Sequence, residues 1–393
     1  MNLSSNARRP CLTPSPRNVV LQMVVREVVA LGRRARQSIR ILRGQPVISQ
    51  ESGALTVGTR PTTFVLVCGP GFDQNVPTAG TTCRLGWCAA FEELGIPYLL
   101  LSVKDVARRL PDVPAPICWI SGADYPYLDA RSLAVLGHYP HLVWVDTWFP
   151  GEDAFREKNA LPRNTLSDAV RNKILSSSPA FLFTISPERS FDFYRGWTDT
   201  GGRLVSLPLA CDTRRYEPDP PFRAEFAKID VAFVGGYWPY KARQFDRYLR
   251  PIEERLTVFG YSHWPYAGYG GSLPMDHEAS LYNQASISPS INEPHVELMG
   301  VDLNERVFKV LGSGGVTVTD AVPAYRDWFT EDELLVPRSV EEFHELVELL
   351  ENEPDVRRQF AMKGSRAIQD RHTYVHRARS VLAALELSGS TAA

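Results

Sequence analysis

The chain has 393 residues, a length that fits two globular domains better than one or four. Hydrophobic residues make up 44% and charged residues 22%, which excludes a disordered chain, and no apolar run approaches the about eighteen residues that a membrane span needs. The net charge of −2 hides an asymmetry: residues 1–60 carry ten Arg and two acids for +8, and residues 61–393 sum to −10.

Residues 1–16 are rich in Ser, Pro and Asn and read as a flexible start. Over 17–43, Val20, Val24, Val28, Leu31, Ala35, Ile39 and Leu42 fall on one side of a helix. Arg26, Arg33, Arg36, Arg40 and Arg43 fall on the other. A basic amphipathic helix of this kind docks on an anionic membrane surface or a partner; the plainer alternative is that its stripe packs on the chain's own body. No small-residue cleavage site follows it, so no secretory signal is expected, although an Arg-rich start is also the composition of an organelle transit peptide. Residues 44–60 read as a linker. The six cysteines show no zinc-type spacing and several sit in apolar runs. Reduced, buried thiols and a cytoplasmic location are expected, peripheral at the inner membrane face if the helix docks there.

From residue 61, short apolar runs alternate with helical segments. Strands are expected at Phe64–Cys68, Tyr98–Leu101, Ile117–Ile120, Leu142–Val145, Ala180–Thr184 and Leu204–Leu207. A helix over Arg84–Leu94 stops at Gly95 and Pro97. The pattern restarts with strands at Asp230–Val234, Leu256–Phe259, Ala285–Ile291, Val316–Thr319 and Leu334–Val336. Helices are expected over Lys241–Arg255, near Asp276–Asn283, near Leu303–Leu311, and at about 339–352, 354–370 and 375–387. Near-continuous apolar strands between helices imply parallel sheets covered on both faces. The proline-rich stretch 208–221 is the natural linker. Two Rossmann-like α/β domains follow, 61–207 and 208–393, with a cleft at the carboxyl ends of their strands.

Two segments carry candidate chemistry. Strand Asp230–Val234 runs into Gly235-Gly236 and a helix whose first turn holds Lys241 and Arg243. Glycine admits close backbone approach, a helix N-terminus attracts phosphate, and the two cations add charge. The second segment runs from Asn292 through Asn304-Glu-Arg306-Val-Phe308-Lys309 to Gly314-Gly315 and Asp320. Arg306 and Lys309 share one helix face.

The order Asn304-x-Arg306-x-Phe308, Gly314-Gly315, Asp320 resembles the C-terminal signature of the spore-maturation CgeB-like glycosyltransferases, GT-B enzymes of the group that includes glycosyltransferase family 4. Trp328-Phe-Thr-Glu-Asp-Glu-Leu, His372-Thr-Tyr374-x-x-Arg377 and the hinge-like Leu207-Pro-Leu-Ala-Cys-Asp212 through Pro218 extend the resemblance over about 180–385. It implies a GT-B fold and a metal-independent, hexosyltransferase-like transfer of sugar from a nucleotide diphosphate sugar. The donor would be held by Gly235, Gly236, Lys241, Arg243, Asn292, Asn304, Arg306, Lys309, Gly314 and Gly315. Where family 4 enzymes keep the second glutamate of Glu-x7-Glu, this chain has Lys309. A literal match, Glu297 to Glu305, lies four residues too early and reads as coincidence. The Lys309 departure motivates the alternative of a GT-B-fold binding or scaffold protein with altered chemistry.

The N-terminal domain would supply the acceptor side, for a glycan, lipid or small molecule. Asp73 and Asp146, near strand ends, are the candidates for a general base, with loop or helix capping as the plainer role; Arg306 joins them as the catalytic cation. His372 and His376 have metal-compatible spacing but no third ligand in view, and no Asp-x-Asp occurs at a strand end. No metal, no cofactor beyond the donor and no nucleic-acid partner are expected. The aromatic, glycine-rich stretch Tyr261–Gly271 is a candidate platform for a base, or a surface loop.

Overall fold

The computed structural model of the chain describes residues 56–57, 60–76, 78–145 and 168–390. The helix expected over 17–43 and the candidate base Asp146 lie outside these described residues.

Six strands form one parallel sheet: β1 (Thr63–Cys68), β2 (Tyr98–Ser102), β3 (Pro116–Ser121), β4 (His141–Trp144), β5 (Phe181–Thr184) and β6 (Leu204–Ser206), in the order β2-β1-β3-β4-β5-β6. All six lie where their apolar runs place them. Alternate side chains bury on opposite faces, as the strand period requires. Phe64 and Leu66 pack with Trp87 and Phe91 of α1 (Ala79–Glu93), and Val65 and Val67 pack with Leu136 of α2 (Ala130–Leu136) and Ile174 of α3 (Asp168–Ser176). Helix α1 begins earlier than expected. Thr78 caps it, its Oγ1 accepting from the Thr81 amide at 3.2 Å, so Gly80-Thr-Thr belongs to its first turn.

The second sheet starts with β7 (Val231–Val234) parallel to β8 (Leu256–Phe259). The other three expected strands extend it through single parallel bridges, Val231 to Ile287, Ser290 to Thr319 and Val318 to Leu335, not through full ladders. Helix α4 (Pro239–Tyr248) ends seven residues before its expected limit, because Pro251 cannot donate to the preceding turn; a 3-10 stretch, Arg250–Arg255, finishes the connection. Then follow α5 (Glu278–Gln284), α6 (Pro294–Met299), where no helix is expected from the sequence, α7 (Glu305–Gly312), α8 (Val340–Asn352), α9 (Pro354–Arg371) and α10 (Tyr374–Ser390).

The last helix returns to the first sheet. Tyr374 lies 5.9 Å from the Trp87 ring, and Val375, Ala378 and Val381 join the core beneath α1. Buried Arg377 fastens this return: its Nε donates to Pro208 O at 2.8 Å and its Nη2 to Leu209 O at 3.2 Å. The chain thus crosses twice between the two sheets at one place, and the carboxyl ends of both sheets border one cleft.

Candidate functional site

The cleft has a volume of about 460 Å³. Thr78, Ala79 and Cys83 of α1, with Trp144 and Ile185 at strand ends of the first sheet, form one wall. The loops after β7 and β8 and the start of α7 form the other. Seven residues singled out from sequence line it together: Gly235, Gly236, Lys241, Asn292, Asn304, Arg306 and Lys309.

Local chemistry explains how they meet. Asn304 caps α7, its Oδ1 accepting from the Arg306 amide at 2.9 Å, which turns the first helical residues toward the cleft. The Arg306 guanidinium lies over the Phe233 ring at 4.1 Å, donates from Nε to Val234 O at 2.9 Å and from Nη1 to Ile291 O at 3.3 Å. Its Nη2 stands beside the glycine loop: a Cβ on Gly235 would come within 2.8 Å of it. Gly260 packs closer still, since its Cβ would meet Gly235 O at 2.1 Å. Glycine at 235 and 260 therefore lets two strand-end loops and a cation share one corner.

Charge pairing sorts the site. The cleft lining holds three cations, Lys241, Arg306 and Lys309, and four carboxylates, Glu278, Glu293, Asp302 and Glu305. Lys241 Nζ lies 2.6 Å from Glu293. Lys309 Nζ lies 3.2 Å from Glu305 and 3.7 Å from Glu278. Glu305 also accepts from Thr82 Oγ1 at 2.8 Å, and Glu278 from the Tyr216 hydroxyl at 2.6 Å. Burial depresses the Lys309 ammonium, but the two carboxylates outweigh it and hold its pKa above the ordinary value. Arg306 makes no ion pair with any described carboxylate. Burial lowers its pKa, yet guanidinium stays charged in proteins, so this corner presents a desolvated positive group.

Several expectations are corrected. Lys309 is a buried counter-ion for two glutamates, not an open phosphate contact. Asn292 has its side-chain amide engaged, donating to Asp320 at 2.6 Å and to the Tyr325 hydroxyl at 3.1 Å. Burial pushes the Asp320 carboxyl up to about 7, while these donors hold it down. Arg243 is exposed on α4 and does not line the cleft. Gly314 and Gly315 also lie off it: Gly314 has φ +73° at the end of α7, and a Cβ on Gly315 would meet Tyr282 O at 2.1 Å. They are packing glycines. Asp73 is exposed and builds a turn, its Oδ1 accepting from the Asn75 amide at 2.9 Å. The Glu297–Glu305 match is split between α6 and α7, with Glu297 turned away to Arg247 at 3.0 Å.

Glu278, Asp302 and Trp144 line the cleft without having been singled out as site residues. Glu278 opens α5, where an acid reads as an ordinary partner of the helix dipole. Among the described residues no group of three or more His, Cys, Asp or Glu is arranged for a metal ion. His372 and His376 are engaged in the α9–α10 turn, with Trp328 O at 3.0 Å and Thr373 Oγ1 at 2.7 Å. The five described cysteines are buried free thiols, and no described helix is long and apolar enough to cross a membrane.

Two parallel sheets with a cleft at their carboxyl ends, and a glycine loop facing an arginine, define the class of fold: the GT-B architecture. Residues 231–383 match the family model described as Glycosyl transferase-like. No curated protein matches the chain in sequence. Among solved structures it is similar in fold to HepE from Anabaena in complex with UDP and glucose, at TM-score 0.54 and 10% identity, covering 82% of this chain and 99% of that one. Sucrose-phosphate synthase from Thermosynechococcus elongatus aligns at TM-score 0.55 and 10% identity over 84% of this chain and 100% of that one. The phage T4 enzyme BGT, in complex with UDP and Mn2+, aligns at TM-score 0.52 and 13% identity over 84% and 99%.

Proposed function

We propose that the chain transfers a sugar from a nucleotide diphosphate sugar to a glycan, lipid or small-molecule acceptor, without an essential metal, with residues 208–393 as the donor half and 61–207 as the acceptor half. One observation carries this reading. After Lys241 and Lys309 are matched to glutamates, Arg306 remains beside the Gly235–Gly236 loop, desolvated and aimed at the space a diphosphate would occupy. A positive group of this kind, preorganised in a poorly solvated cleft, stabilises the charge that develops on a departing nucleoside diphosphate. HepE and the T4 enzyme are described with UDP bound, so UDP heads the list of nucleotides to try. The resemblance of about 180–385 to the CgeB-like glycosyltransferases supports the same reading.

Thermal shift against a panel of nucleoside diphosphates tests it. Stabilisation by at least one of them is expected, with release of that nucleotide from its sugar conjugate. No shift with any, and no hydrolysis of any nucleotide sugar, would sink the proposal.

The arm supports a second proposal, peripheral attachment to an anionic membrane on the cytoplasmic side. Residues 17–43 carry seven Arg, each worth about 1 kcal/mol near an anionic surface. The full chain is expected to pellet with vesicles rich in phosphatidylserine at low salt, and a chain starting at residue 60 to stay in the supernatant. Equal pelleting of the two refutes it.

A further inference from the structure

We propose that Asp302 is the general base that takes the proton from the acceptor; this rests on the glycosyl-transfer reading above and extends it. Asp302 lines the cleft and is half-buried, so its carboxylate meets the cleft contents. It directly precedes Leu303 and the Asn304 cap of α7, on the donor side. Yet the hydroxyl that orients it comes from the other sheet. Ser186, just beyond β5, donates from Oγ to Asp302 Oδ1. Asp302 therefore stands where the acceptor half meets the donor half, the position a base needs if it is to face an acceptor oxygen near the anomeric carbon.

The support behind that contact is a relay of hydroxyls. The Tyr194 hydroxyl lies 2.7 Å from Ser186 Oγ, and Thr184 Oγ1 donates to Tyr194 at 2.5 Å. All three side chains are buried, at 0% exposure for Thr184 and Ser186 and 1% for Tyr194. With Ser186 donating to the carboxylate, Tyr194 donates to Ser186 and Thr184 to Tyr194, so each bond polarises the next toward Asp302. The Thr184 oxygen in turn accepts from the Ser186 amide at 3.3 Å, which pins the start of the relay to the strand end. Such a chain fixes one carboxylate oxygen at the meeting of the two sheets.

The step balances as a single displacement. The acceptor O–H proton passes to the Asp302 carboxylate while the acceptor oxygen bonds to the anomeric carbon. The bond from that carbon to the phosphate oxygen breaks, and its electron pair leaves with the nucleoside diphosphate beside Arg306. Attack from the face opposite the leaving group inverts the anomeric configuration.

Water serves as acceptor in the test, with UDP-glucose, UDP-galactose and GDP-mannose as probes. The wild-type chain is expected to release nucleoside diphosphate slowly from one of them. With an α-linked donor, the first-formed free sugar seen by proton NMR is the β-anomer. Asp302→Asn should lower that rate by about 100-fold or more. Its thermal shift with the nucleoside diphosphate should match wild type, which also shows that the variant is folded. Asp302→Asn retaining more than a third of the hydrolysis, or an α-anomer as first product, overturns the assignment. Diphosphate binding with no hydrolysis of any probe also counts against it, since a base poised in the cleft would activate water. A wild-type chain that neither binds a nucleoside diphosphate nor hydrolyses a probe overturns the glycosyl-transfer reading itself.

Discussion

Replacing Arg306 with Met is expected to lower kcat/KM for the nucleotide sugar by about 100- to 1,000-fold, the range seen when one preorganised donor to a developing negative charge is removed. Methionine keeps much of the side-chain volume over the Phe233 ring but loses the charge and the donors to Val234 O and Ile291 O. Those two carbonyls lie at strand ends, so some stability goes too, about 1–3 kcal/mol. Activity and stability are separable. The loss should appear as weaker diphosphate binding by calorimetry at a temperature where the variant is fully folded. Arg306→Lys should recover only part of it, because an ammonium cannot donate to two carbonyls and a phosphate in one plane. An Arg306→Met variant that binds nucleoside diphosphate within threefold of wild type would remove Arg306 from the donor site.

The parts of this protein that were legible in its sequence are those set by neighbouring residues. The strands of the first sheet are continuous apolar runs because both faces are covered, and Phe64 to Cys68 or Phe181 to Thr184 admit no other reading at that length. The Gly235–Gly236 loop and the Asn304-x-Arg306 helix start are equally local. What the sequence concealed depends on partners far apart in the chain. Lys309 looks like a phosphate-binding cation until Glu278, on a different helix, is found beside it. Its other partner, Glu305, is one helical turn away, and that spacing was a readable signal. Asp302 gave no local sign at all, since its orienting hydroxyl comes from Ser186 across the cleft. Arg243 and Asp73 failed for the opposite reason: residue type and position suited the chemistry, but the helix face and the turn pointed elsewhere. Even helix α4 was misjudged by its end, where Pro251 overrides a periodic pattern that continues past it.

Lys309→Met should be the most destabilising single change in the cleft. It leaves Glu278 and Glu305 buried together without their cation, and breaking a buried pair by removing one partner costs about 3–5 kcal/mol. Burial already raises the Glu305 carboxyl's pKa, and Lys309 is what opposes that rise. Without Lys309 the folded state holds a proton that the unfolded chain gives up near pH 4–5, about the ordinary glutamate value. The folded form then binds more protons than the unfolded one, so the variant gains stability relative to wild type as pH falls from about 8 to about 5. Adding Glu305→Gln removes one of the two uncompensated charges and should recover a substantial part of the loss, although each substitution alone destabilises. Glutamine keeps an oxygen for the Thr82 hydroxyl, the bond that joins α1 to α7 across the cleft. Urea unfolding of the four chains of this cycle at both pH values measures the coupling. Additive costs, or a deficit that widens on acidification, would show that Lys309 does not neutralise this pair, and would return it to the role of a cation available to the donor.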